Sequence, residues 1–131
     1  MHEGKTELKD ILEKLNPKKN PGIYVYTRLD DNLSIPLEEV LFCFRENEGN
    51  TYVLKKEKAD IFKLSYHQLF SWITLDVHTS LNAVGLTSTI SNALSRHGIP
   101  CNMVAAYTHD HLFVPDHLSE NALQILHDLT K

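Results

Sequence analysis

The sequence predicts an α+β fold made of two similar modules, each an antiparallel sheet with helices on one face. Two segments support this prediction, because both have the order strand, turn, strand, helix: FCFRENEGNTYVLKKEKADI and VAAYTHDHLFVPDHLSENA. Alternating apolar and polar residues in IYVYTRL and WITLDVH predict two further strands, and apolar residues at helical spacing predict the helices. We therefore divide the chain into a degenerate amino-terminal module, residues 1–64, and a carboxy-terminal module, residues 65–131.

The first half begins with a helix that is predicted over residues 7–15. Thr6 can cap this helix, and the Asn16-Pro17 pair ends it, since the residue before proline avoids helical backbone. The polar segment 30–39 is predicted to be a connection, where the second half has a full helix. VLFCFRE and TYVLKK predict a hairpin that turns at Gly49, and EKADIFKL predicts a short helix.

The second half is predicted to run strand, loop, helix, hairpin and closing helix. The loop TSLNAVG separates the strand WITLDVH from the helix LTSTISNALSRHG, which Gly98 ends. NMVAAY and HLFVP form the hairpin, with THD at its tip. The closing helix carries one apolar stripe, formed by Leu118, Ala122, Ile125, Leu126 and Leu129.

Composition narrows the classes of protein to consider. The 131 residues are 42% hydrophobic with a net charge of -4, which gives no basic surface for nucleic acid. No apolar run is long enough to span a membrane, and MHEGKTELKD lacks the apolar core of a signal peptide, so a cytoplasmic location is expected. Cys43 and Cys101 support neither a disulfide framework nor a cysteine metal site. Cys43 lies in VLFCFRE, which we interpret as a buried strand.

Two segments resemble a known family. VHTSLNAVGLTSTISNALSRHGIPCNMVAAYTHDHLFVP is similar to the carboxy-terminal module of small bacterial tandem ACT-domain proteins, and FRENEGNTYVLKKEKAD resembles their amino-terminal module. The resemblance extends from about Leu8 to Leu126. It implies two ferredoxin-like βαββαβ modules of the kind that bind amino acids or similar metabolites and regulate a partner. No catalytic activity and no cofactor are expected, and exposed strand edges favour a homo-oligomer of two or more subunits.

The turn HTSLNAVGLTS, residues 78–88, is the main candidate site. Gly85 allows a tight turn, and the first amides of the next helix lack internal partners, which favours an anion such as the carboxylate of an amino acid. The resemblance implies that this turn lines the ligand site. Alternatively, Ser80 or Asn82 only caps the helix and Gly85 only eases packing. The expected ligand-binding residues here are Ser80, Leu81, Asn82, Ala83, Val84, Gly85, Leu86 and Thr87.

Asn102 and Met103 begin the first strand of the second hairpin. The resemblance places this strand beside the strand that precedes the turn, so we expect both residues to contact the same ligand. The alternative is that Asn102 satisfies backbone groups at a strand edge. The sequence leaves both interpretations of Asn102 open.

The tripeptide His109-Asp110-His111 allows three interpretations. In a strand, residues i and i+2 point the same way, so both imidazoles could face one metal ion. Acid–base chemistry would need the Asp110–histidine pair to act with a nucleophile such as Ser80. We favour a hairpin tip in which Asp110 bonds its own turn and one imidazole contacts a small molecule or a second subunit, with His109 and His111 both candidates for ligand binding. Further metal donors near in sequence would be His78 and His117.

These observations lead to three hypotheses about function. The first is a sensor that binds a small molecule and has neither catalytic activity, a physiological metal, nor a nucleic-acid or membrane partner. The second is a structural or oligomerisation module that binds no metabolite. The third is a metal-dependent enzyme that uses His109, Asp110 and His111.

Overall fold

The computed structural model describes residues 7–30 and 35–131. The antiparallel strands and helices confirm the predicted α+β class. The predicted cap at Thr6 and part of the predicted connection lie outside the described residues. The elements in chain order are α1 (Leu8–Glu13), β1 (Pro17–Lys19), β2 (Tyr24–Leu29), β3 (Phe42–Glu46), β4 (Gly49–Lys55), α2 (Lys56–Ile61), β5 (Phe70–Leu75), α3 (Leu86–Ser95), β6 (Asn102–Ala105), β7 (Asp110–Pro115) and α4 (Ser119–Asp128), with 3-10 turns at Leu37–Glu39 and Asp116–Leu118.

The chain forms two compact units, and one of them is inserted in the other along the sequence. The inserted unit is Gly22–Phe70, and the split unit joins the segment that ends at Pro21 to Ser71–Lys131. These units differ from the consecutive segments 1–64 and 65–131, because the start of the chain pairs with the second half. The division between residues 64 and 65 was drawn from the repeat in the sequence, and it stays a prediction.

Strand β1, which the sequence does not predict, connects the first segment of the split unit to the second. It pairs antiparallel with β5, from Pro17 opposite Leu75 to Lys19 opposite Ile73. Proline is tolerated as the first residue of a strand, so the residue that ends the first helix also starts β1. The strand order in this unit is β1-β5-β7-β6, with β6 and β7 forming the predicted hairpin.

Helices α1, α3 and α4 pack on one face of this sheet. Alternate residues of β5 and β7 point to that face, as the period of two in a strand requires. Helical spacing brings the apolar stripes of the helices against them. The fully buried members of this core are Ile11, Leu15, Ile73, Leu75, Ile90, Leu94, Leu112, Val114, Ala122 and Leu126. The start of the chain is therefore part of the core of the second half.

The inserted unit contains the strand order β3-β4-β2 and helix α2. One buried cluster of this unit consists of Val25, Leu54 and Ala59, and Val53 is also fully buried. The interpretation of VLFCFRE as a buried strand is wrong, because β3 is exposed from Cys43 to Glu46. The strand pairs with β4 on one side and ends the described sheet order. Phe42 is half-buried against the ring of Tyr26, whereas Phe44 is 66% exposed.

Replacing Leu15 with alanine tests the contribution of the amino-terminal segment. Leu15 is fully buried, so we expect the variant to lose about 2–5 kcal/mol of unfolding free energy. Urea denaturation followed by fluorescence measures the change in the split unit, because Trp72, the single tryptophan of the chain, lies there. Leu12→Ala, at a partly buried position, is the control and should cost less. Equal stability of Leu15→Ala and the natural chain would contradict the discontinuous unit.

Candidate functional site

The loop between β5 and α3 is anchored at its start to the tip of the β6–β7 hairpin. The Thr79 amide donates to the Thr108 carbonyl oxygen at 3.1 Å, and Thr79 Oγ1 donates to Asp110 Oδ2 at 3.0 Å. Thr79 is buried, which shields these bonds from water. Asp110 therefore links two segments, rather than serving only its own turn. The loop and the hairpin tip lie together.

The middle of the loop is a tight local turn. Ser80 Oγ accepts a hydrogen bond from the Asn82 amide at 3.0 Å, and the Ser80 carbonyl oxygen accepts one from the Ala83 amide at 3.0 Å. Ala83 packs against the core of the split unit, whereas Leu81 and Val84 are 63% and 82% exposed. The turn thus presents two apolar side chains to the outside.

Gly85 provides the left-handed backbone from which α3 starts. Its φ is 91°, which favours glycine, and a Cβ at this position would lie 3.3 Å from Leu8 Cδ2. The N-cap residue is Gly85 and Ser80 Oγ bonds the Asn82 amide, so the alternative role of Ser80 or Asn82 as the helix cap is wrong. Leu86 is buried and Thr87 is exposed. Gly85 both turns the chain and lets Leu8 approach, and it leaves the first helical amides without a side-chain cap.

Asn102 and Met103 do not lie with this loop. Strand β7 lies between β5 and β6, so the expectation that β6 runs beside β5 is wrong. Asn102 pairs with Phe113, about 10 Å along the hairpin from the tip that holds Thr79. Its side-chain amide donates to the Phe113 carbonyl oxygen at 3.2 Å, and Met103 packs against the core. These contacts agree with the structural alternative for Asn102.

His109 lies just before β7 and faces a carboxylate. His109 Nε2 is 3.6 Å from Asp76 Oδ1, and Lys18 Nζ is 2.8 Å from Asp76 Oδ2. The hydrogen bond from Lys18 and its charge, with a smaller contribution from His109, lower the pKa of Asp76 despite some desolvation. Asp76 therefore stays ionised at neutral pH and can attract a protonated His109. The carboxylate of Asp76 joins strand β1 to the hairpin tip, because Lys18 and His109 both lie against it.

His111 lies in a separate polar network on the sheet face opposite the helices. Trp72 Nε1 donates to His111 Nδ1 at 3.0 Å, and Thr74 Oγ1 lies 3.0 Å from the same nitrogen. Asn20 Nδ2 donates to Thr74 Oγ1 at 2.8 Å. An indole nitrogen only donates, so Nδ1 is unprotonated and the neutral ring carries its hydrogen on Nε2.

Burial lowers the pKa of His111. The charge of His109 lowers it further, and Asp110 opposes this shift. The two histidines thus have different partners, although they are two residues apart. Within residues 7–30 and 35–131, no group of three histidine, cysteine, aspartate or glutamate side chains could hold a metal ion. Among the described hydrogen bonds, Ser80 Oγ accepts from the Asn82 amide and Asp110 accepts from Thr79. These bonds do not connect Ser80 to Asp110, as a catalytic triad would require.

The sequence analysis missed the residues that hold these histidines. The alternation in WITLDVH places Trp72, Thr74 and Asp76 on one face of β5, but it does not indicate that they contact the histidines. Lys18 and Asn20 had no such signal, because their role depends on the pairing of β1 with β5. Asp76 follows β5 directly, and its contacts with Lys18 and His109 depend on the same tertiary pairing.

Comparison with known protein families finds ACT domains over almost the whole chain. One ACT-domain family matches residues 3–71, and a second matches residues 70–128. No curated protein sequence matches the chain significantly. None of the helices in the described part of the chain is long and apolar enough to cross a membrane.

Several solved structures share the fold. A Vibrio cholerae protein of unknown function, described as a possible transport protein, is 38% identical, with a TM-score of 0.82 over 95% of this chain and 96% of its own. A protein from Agrobacterium tumefaciens is 18% identical, with a TM-score of 0.70 over 87% of each chain. The ligand-free regulatory subunit of aspartate kinase from Thermus thermophilus is 7% identical, with a TM-score of 0.57 over 88% of this chain and 97% of its own.

Acidification should break the bond between Trp72 and His111. Protonation of Nδ1 removes the acceptor, and since the pKa is lowered from 6.5, the change should have its midpoint below pH 6.5. The network stabilises the fold fully above pH 6.5, and this contribution is lost as the pH falls through the folded-state pKa. Tryptophan fluorescence and the NMR shift of the indole hydrogen measure the transition.

His111→Asn is the matched control for this titration. Its side-chain oxygen can replace Nδ1 as an acceptor, but it does not titrate in this range. The variant should lose the transition and keep the spectrum of the natural chain at neutral pH. An unchanged midpoint in His111→Asn would show that another group causes the change.

Proposed function

Because the chain belongs to the ACT-domain family, we propose that it is a regulatory protein that binds a small metabolite and has no catalytic activity of its own. The observation that carries the proposal is the start of α3 at Gly85. Its N-cap residue is a glycine, and among residues 7–30 and 35–131 no side-chain cap bond is made, which leaves the first amides of this ten-residue helix for a negatively charged group. The binding site is the loop and helix start from Ser80 to Thr87.

An amino acid fits the chemistry of this loop. Its carboxylate would bind the first amides of α3, where the positive end of the helix dipole favours an anion. Leu81 and Val84 are exposed and would contact an apolar side chain, burying surface that otherwise faces water. The exposed Asn82 carboxamide can accept a hydrogen bond from the ammonium group.

The hairpin tip supplies the second wall of the proposed site. The bonds of Thr79 hold the loop against residues 108–110, which brings His109 toward it. His111 stays in the predicted ligand set, but its network with Trp72 lies on the sheet face opposite the helices and supports it less. Asn102 and Met103 remain in the predicted ligand set, but their position at the far end of the hairpin supports them least.

Regulation of a separate partner is the role that follows. The Thermus thermophilus chain is a regulatory subunit of an enzyme, and its shared fold supports an arrangement in which this chain acts on another protein. We propose a cytoplasmic homo-oligomer that changes its interaction with that partner when the metabolite binds. A module that only assembles subunits is the second candidate, and the exposed strand β3 favours it.

Thermal unfolding with each common amino acid tests the proposal. A ligand that binds only the folded chain stabilises it, by about 2.7 kcal/mol at one hundred times its dissociation constant, and raises the melting temperature. Thr87→Asp should abolish this increase. A carboxylate in the first turn of α3 repels the ligand carboxylate, yet it stabilises the helix by about 0.3–1 kcal/mol.

Thr87→Asn is the matched control, since it has a similar size and no charge. It should keep the ligand-induced increase, while Thr87→Asp alone should melt at the same or a higher temperature than the natural chain. If no amino acid raises the melting temperature at millimolar concentration, the amino-acid proposal fails. If one does so equally in Thr87→Asp, the site lies elsewhere.

A further inference from the structure

Helix α1 supports the turn at which α3 starts. A Cβ at Gly85 would lie 3.3 Å from Leu8 Cδ2, which is closer than carbon atoms usually pack. Leu8 is partly buried against the same core that contains Leu86, the first residue of α3. Ile11, one helical turn further on, is fully buried and fixes α1 to this core. The side chain of Leu8 therefore lies directly against the Gly85 turn.

Strand β1 supports the hairpin tip in a similar way. Lys18 Nζ is 2.8 Å from Asp76 Oδ2, and His109 Nε2 is 3.6 Å from Asp76 Oδ1. The side chain of Lys18 is 60% exposed, so this ion pair by itself stabilises the fold little. Its effect is on position, because Asp76 lies between β5 and the loop, and His109 adjoins the two residues that bond Thr79. The chain from α1 to β1 therefore contacts both walls of the proposed site.

The loop between these two walls is fixed mainly at its ends. At one end, the amide and the hydroxyl of Thr79 donate to the hairpin tip. At the other end, Gly85 has a φ of 91°, which a residue with a side chain rarely adopts. Between them Ala83 packs against the core, whereas Leu81 and Val84 are exposed. The shape of the loop therefore depends on how firmly its two ends are held.

We propose that residues 8–20 form a positioning segment for the metabolite site, and that Leu8 couples the docking of this segment to binding at the start of α3. When Leu8 is docked, it holds Gly85 in the left-handed conformation from which α3 starts. When Leu8 is withdrawn, Gly85 can adopt other backbone conformations, because glycine has no Cβ to restrict it. A ligand that binds the first amides of α3 therefore binds the docked form more tightly.

Linkage makes this coupling reciprocal. A ligand that prefers the docked form holds the positioning segment in place to the same extent that docking strengthens ligand binding. Ile11 and Leu15 are fully buried, so the docked form predominates without ligand, and the ligand reduces local opening further. Only three residue pairs, from Pro17 to Lys19, join the segment to β5, which makes its opening less costly than unfolding of the whole unit. The coupling rests on the proposed function, because it regulates the same site.

The contact with Gly85 is tested first, without a ligand. In Leu8→Ala, loss of the leucine side chain should free the turn, so the backbone order parameter of Gly85 from NMR relaxation should fall. Leu12→Ala is the matched control, since Leu12 is also partly buried in α1 and packs against the same core. Leu12→Ala should leave Gly85 unchanged, and Leu8→Met, which keeps an apolar side chain of similar size, should retain the order of the natural chain. An equal order parameter in the natural chain and Leu8→Ala overturns the positioning role.

The coupling is tested with sodium acetate as the carboxylate probe, at an ionic strength matched with sodium chloride. NMR shifts of the first α3 amides report acetate binding, and Leu8→Ala should weaken it about fivefold or more, whereas Leu12→Ala should not. Saturating acetate should slow tryptic cleavage after the exposed Lys14 in the natural chain. Equal acetate affinity in Leu8→Ala, or faster cleavage with acetate, overturns the coupling and leaves the proposed function standing. An absence of acetate shifts in the natural chain overturns the proposed site at α3, and the coupling with it.

Discussion

The pairing of β1 with β5 is the contact on which the split unit depends. It joins residues more than fifty positions apart, and it brings Ile11 and Leu15 into a core otherwise made by the second half of the chain. The same pairing places Leu8 against the Gly85 turn and Asn20 beside Thr74. The helix start and the histidine network therefore both rely on a segment of three paired residues.

Two groups of residues near the candidate site have different physical characters. The Gly85 turn is built from main-chain geometry, because a left-handed residue and an uncapped helix leave directed amides. The network around His111 is built from side chains, and the donor-only indole of Trp72 determines which ring nitrogen carries the hydrogen. The first suits an anion, whereas the second responds to protonation.

The inserted unit carries an exposed strand, β3, at one end of the described sheet order. Val25, Val53, Leu54 and Ala59 are fully buried in it, whereas Phe44 on β3 is exposed. In the split unit, by contrast, three helices cover one sheet face and include the start of the chain. An exposed strand at the edge of a sheet can pair with a further β-strand.

The sequence by itself determined the elements whose signals are local. Alternation predicted β2 and β5, helical spacing predicted α3 and α4, and the glycine before α3 marked the turn. Only the tertiary structure decided that Pro17 starts a strand, that Cys43 is exposed, and that Asn102 lies away from the loop. The physical reason is that periodicity depends on neighbours in sequence, whereas pairing and burial depend on strands that meet from distant parts of the chain.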